Sequence, residues 1–93
     1  MTKNEERFEK CKEIFEHFGF DAQQDKLVEE CDELIEAAQG EDYDSFIEEL
    51  ADVSIMIAQM FISLDEEQKA QFFDTIDHKL GRTLERIKNG SYT

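Results

Sequence analysis

An all-α fold, an antiparallel hairpin or bundle of about four helices, is predicted by three observations. Apolar residues recur at three- and four-residue steps along nearly the whole chain, and no segment shows the strict alternation of a half-buried strand. The 93 residues include no proline and only four glycines, so few positions interrupt a helix. A composition 40% hydrophobic and 37% charged is that of a packed helical domain rather than a disordered chain.

The first helix is expected from about Lys3 to Phe18, with Phe8, Cys11, Ile14, Phe15 and Phe18 on its apolar stripe and Gly19 as its stop. Asp21 is the expected N-cap of the second. Its stripe is Leu27, Val28, Cys31, Leu34, Ile35 and Ala38, and Gly40 ends it. Asp42 or Asp44 opens the third and most apolar helix, whose stripe runs through Phe46, Ile47, Leu50, Ala51, Val53, Ile57, Met60, Phe61 and Leu64. Asp65, followed by Glu66, Glu67 and Gln68, caps a fourth that carries Phe73, Ile76, Leu80, Leu84 and Ile87 before Asn89-Gly90. The last three residues are expected to fray. Residues 1–93 form one domain in this reading, and its core is small enough that a second copy is expected to complete the bundle.

Ten basic residues against 24 acidic ones give a formal charge of −14. Such a surface repels phosphate backbones and anionic membranes, so neither nucleic acid nor a bilayer is an expected partner. Clustered carboxylates suit a hard divalent cation instead. Cys11 and Cys31 form no CxxC and fall at apolar helical positions, which fits small core residues in a reducing compartment. With no apolar leader and no apolar run of about 18 residues, a cytoplasmic protein is expected.

The acids of residues 27–53, LVEECDELIEAAQGEDYDSFIEELADV, are not equivalent. If helices two and three run antiparallel about residue 41, positions whose numbers sum to 82 stand level, which pairs Glu30 with Asp52 and Glu33 with Glu49. Within each helix the two acids are spaced i, i+3 and share a face. Their angular offsets from the apolar stripes place both pairs either in the groove between the helices or on opposite outer flanks. In the groove, a bound divalent cation is the simplest way to hold four carboxylates together. Asp32, Glu36 and Glu48 lack this pairing and are expected to be solvated. Neither histidine completes the Glu-x-x-His of a ferritin-like di-iron site, and Ile47 stands where an EF-hand loop beginning at Asp42 needs glycine.

KLVEECDE (Lys26–Glu33) followed by EELADV (Glu48–Val53) resembles the EExxE…ExxD signature of the MazG-like nucleoside triphosphate pyrophosphohydrolases, within the all-α NTP pyrophosphatase superfamily. Glu29, Glu30 and Glu33 take the three Glu places of the first half. Glu49 and Asp52 take the acids of the second, with fifteen residues between the halves. The resemblance implies that Glu30, Glu33, Glu49 and Asp52 bind Mg²⁺, with Mn²⁺ as the alternative ion, and that Glu29 is the base for an attacking water. It implies hydrolysis of nucleoside triphosphates to monophosphate and pyrophosphate, in nucleotide-pool control, by a homodimer or homotetramer. A phosphoribosyl-ATP pyrophosphatase-like enzyme is the alternative within the superfamily. A non-catalytic acidic helical dimer that binds a protein partner is the alternative outside it.

The few basic residues are segregated. Lys79, Arg82 and Arg86 recur at i, i+3, i+7 on one flank of the fourth helix, and Lys26 lies one turn before Glu30. These four are candidates for contact with substrate phosphates. The other reading of the flank is simple balance against acids on a neighbouring helix. Phe15, Phe18, Phe20, Phe72 and Phe73 are read as core, and His17 and His78 as surface residues.

Overall fold

The structure is a computed structural model of the chain, described here for residues 1–90, so the C-terminal three residues expected to fray lie outside the described residues. It contains α1 (Lys3–Phe18), α2 (Phe20–Gln39), α3 (Tyr43–Ile62) and α4 (Glu66–Lys88), with no strand among the described residues. The all-α expectation holds, and each helix falls close to its predicted bounds. Two compact units are distinguished: Met1–Ser63, with α1 to α3, and the segment from Leu64 onward, with α4.

Local chemistry explains the boundaries. The Thr2 hydroxyl accepts from the Glu5 backbone N–H at 3.1 Å while Thr2 N–H donates to Glu5 Oε1 at 3.0 Å, a reciprocal cap for α1. Gly19 ends that helix at φ 86°, in the left-handed region, with its N–H on the Phe15 carbonyl at 2.8 Å. The chain then re-enters a helix immediately, because the Gly19 carbonyl accepts from Gln23 N–H at 3.2 Å. Gly19, not Asp21, is therefore the N-cap of α2. Asp21 falls in the first turn, where its charge favours the positive end of the helix dipole.

Asp42 caps α3, accepting from Asp44 N–H at 3.0 Å and from the Ser45 hydroxyl at 2.9 Å. Asp65 caps α4 reciprocally with Gln68.

In the first unit α2 and α3 lie along one another as an antiparallel hairpin, and α1 packs against both. Register can be read from a buried amide pair: Gln23 Nε2 donates to Gln59 Oε1 at 2.7 Å. Those numbers sum to 82, so the antiparallel register about residue 41 is the one the acids required. Cys11, Val53 and Met56 are the buried apolar residues among those described, and Phe8 of α1 meets Phe61 of α3 edge-to-face at 6.5 Å.

The α3 stripe divides differently from the expectation. Val53 and Met56 turn inward, whereas Ile47, Leu50 and Ile57 are exposed, as are Val28 and Ile35 on α2. The seam of the hairpin instead carries Gln23, Leu27, Glu30, Leu34 and Ala37 from α2, and Glu49, Val53, Met56 and Gln59 from α3. These seam positions step by threes and fours, so the seam is helical in period but partly polar. Both α1 and α2 pack on α3, and the side that α2 covers is the acidic one.

Candidate metal centre

The i, i+3 spacing and the hairpin register act together to build the site. Glu30 is only 5% exposed, while Glu33, Glu49 and Asp52 are half-buried. Carboxylate oxygens of Glu30, Glu49 and Asp52 lie within 4.8 Å of one another. Of the two arrangements left open by the sequence, the groove between the helices is the one adopted. Glu33 stands beside Glu49 and opens, with Glu36, Asp42 and Ser45, onto a cavity of about 350 Å³ toward the turn. Asp32, Glu36 and Glu48 are exposed, as expected.

Two oxygens in this groove are buried without a hydrogen-bond partner, Glu30 Oε2 and Glu49 Oε2. A buried carboxylate oxygen with no partner is costly, and buried acidic groups are ordinarily paired or ligated. Burial, followed by hydrogen bonding with Glu33 and then the charges of Glu33, Glu30 and Asp52, pushes the Glu49 carboxyl up to about 7. Glu30 shifts the other way, because the Lys26 ammonium beside it stabilises its ionised form. Oxygens around one octahedral Mg²⁺ stand roughly 3.0 Å apart when adjacent and roughly 4.2 Å when opposite, so the three carboxylates would draw together to share an ion. The donor set is all oxygen, which suits Mg²⁺ or Mn²⁺.

Lys26 Nζ lies 3.0 Å from Glu30 Oε1 and 3.5 Å from Glu29 Oε1. Glu29 is more than half exposed and stays outside the trio, on the same side of α2 as Lys26. Lys79, Arg82 and Arg86 belong to α4, in the other unit, and are exposed. Cys11 is buried and Cys31 half-buried; burial pushes the Cys11 thiol up, which fits a packing residue. His17 and His78 are exposed, as expected.

Sequence reasoning missed the Gln23–Gln59 pair. The sum to 82 was a signal able to find it.

The model of the MazG nucleotide pyrophosphohydrolase domain matches residues 18–90, from the end of α1 through α4. The chain belongs to this family. No curated protein and no solved structure matches the chain. A MazG domain hydrolyses nucleotides with release of pyrophosphate, acts on nucleoside triphosphates and generally uses a divalent metal, and a cluster of acidic residues is present in this chain. Among the described residues of this MazG chain no helix is long and apolar enough to cross a membrane.

Proposed function

We propose that the chain is a single-domain, Mg²⁺-dependent pyrophosphohydrolase that converts nucleoside triphosphates to nucleoside monophosphate and pyrophosphate, with Mn²⁺ as an alternative ion. The observation that carries the reading is the pair of unpartnered, buried oxygens on Glu30 and Glu49, in a groove where carboxylate oxygens of Glu30, Glu49 and Asp52 lie within 4.8 Å of one another. Glu30, Glu33, Glu49 and Asp52 would hold the ion. When bound, it supplies charge neutralisation for the triphosphate and lowers the pKa of water.

The chain's own residues supply the rest. Glu29, one turn before Glu33 and open to solvent, takes the proton of the attacking water as the anhydride between the α- and β-phosphates breaks. Its oxygen is free to approach substrate because only an exposed ion pair with Lys26 holds it. The acid groove has the same sign of charge as a triphosphate, so Glu30, Glu33, Glu49 and Asp52 would need a bound cation to accept one nearby. Lys79, Arg82 and Arg86, spaced along one flank of α4, are proposed to meet phosphate oxygens.

A homodimer or homotetramer belongs to the same reading. Among the described residues only three apolar side chains are buried, while Val28, Ile35, Ile47, Leu50, Leu80 and Leu84 stay exposed. That is a small core for a stable domain, and a second copy covering those faces would enlarge it.

Pyrophosphate release measured over a panel of canonical and modified nucleoside triphosphates, with Mg²⁺ or Mn²⁺, tests the activity and identifies the substrate. Absence of turnover on every nucleotide, combined with no metal-dependent rise in melting temperature, would overturn it.

A further inference from the structure

We infer that Lys26 is a positioning residue for the cation site rather than a phosphate contact: it holds one oxygen of Glu30 so that the other faces Glu49 and Asp52. This rests on the metal-dependent reading above.

The two oxygens of Glu30 have opposite surroundings. Oε1 is 3.0 Å from Lys26 Nζ, whereas Oε2 is buried and unpartnered. The Lys26 side chain is 47% exposed but Glu30 only 7%, so the lysine reaches from the rim to an inward-pointing acid. The order of the pair is informative. Lysine precedes glutamate at i, i+4, the less favourable orientation for helix stability, so gain to the helix is a poor account of it. Lys26 also spans to Glu29 at 3.5 Å, which ties the proposed base to the proposed ligand through one ammonium.

Without the lysine, Glu30 faces three like-charged neighbours, and swinging its carboxylate toward solvent relieves the repulsion. With it, the carboxylate is fixed and the second oxygen stays aimed into the groove. Groups that orient metal ligands from behind typically change affinity by about ten- to a hundredfold. The opposing effect, direct repulsion between ammonium and metal ion, is screened by solvent around a half-exposed lysine and is the smaller of the two.

The test uses the native chain and the variants Lys26→Met and Lys26→Arg, with Mg²⁺ titrated in the absence of nucleotide and followed by calorimetry and thermal unfolding. Lys26→Met is expected to weaken Mg²⁺ binding about tenfold while the metal-free melting curve stays cooperative, and Lys26→Arg to retain affinity within about threefold. Equal or tighter Mg²⁺ binding by Lys26→Met overturns the inference and makes Lys26 a mere countercharge. Unchanged Mg²⁺ affinity with a raised KM for nucleotide also overturns it, in favour of a phosphate contact. Absence of Mg²⁺ binding by the native chain overturns the metal-dependent reading itself, a result separate from either variant outcome.

Discussion

Helices α3 and α4 are built alike and end differently. Each is amphipathic, capped at its start by an aspartate, and about twenty residues long. Yet α3 buries Val53, Met56 and Gln59 and turns two acids inward, whereas no residue of α4 is buried. An apolar stripe is therefore a capacity for burial, and a neighbour decides whether it is used. On α3 the neighbours are α1 and α2, and α2 covers the face that holds the acids.

The largest expected effect sharpens the functional side of that contrast. Glu49→Gln keeps the volume of the side chain but removes a charge from the groove, and kcat for pyrophosphate release should fall by about a hundredfold or more. A steady-state assay at saturating Mg²⁺ checks it. Loss of less than about threefold would leave α3 a packing helix only.

The packing side is tested by Met56→Ala, which should destabilise the fold by about 2–5 kcal/mol in denaturant titration. Leu80→Ala, on exposed α4, should cost less than about 1 kcal/mol in the isolated chain. Equal losses at the two positions would erase the contrast and indicate that another copy covers α4. Sedimentation of the same samples would reveal that copy.

A smaller effect is expected from the α4 cations. Arg82→Ala should raise KM for a nucleotide by about three- to tenfold, in keeping with loss of one charge-assisted hydrogen bond, and leave Mg²⁺ affinity unchanged. Unchanged KM and kcat would remove Arg82 from phosphate binding.

The mildest test is of pH, and its sign follows from Glu49. A carboxyl pushed up to about 7 in the folded chain holds a proton that the unfolded chain has already released above its ordinary value of 4.5. Folded molecules thus bind more protons between those limits, and stability of the metal-free protein should fall as pH rises from about 4.5 to about 7. Metal competes with that proton, so Mg²⁺ affinity should rise over the same window. Glu49→Gln should flatten this contribution to the melting temperature in both directions.

Most of the architecture was legible because it is written locally. Glycine at 19 marks a helix end through its backbone angle, and aspartate at 42 and 65 through hydrogen bonding, neither of which needs a distant residue. Asp21 misled as a cap because a preceding glycine with positive φ can begin a helix unaided. The acids were legible as pairs because an antiparallel hairpin converts sequence distance into height. Which face of α3 would be covered was not legible. Apolar content favoured the side bearing Ile47, Leu50 and Ile57, but that choice depends on the number of neighbours, a property of the whole assembly. The Lys26 fork was half visible: spacing showed that it could reach Glu30, and only the fold decides which oxygen it takes.

Gly19 closes one helix and opens the next with a single residue. A Cβ built there would meet nothing within 4 Å, so crowding is not what excludes a side chain. The restriction is torsional: at φ 86° every L-residue is disfavoured. The corner through which α1 reaches the acid hairpin is thus guarded by an angle in otherwise empty space. Substitution there would disturb the direction of two helices before it disturbed the packing of either.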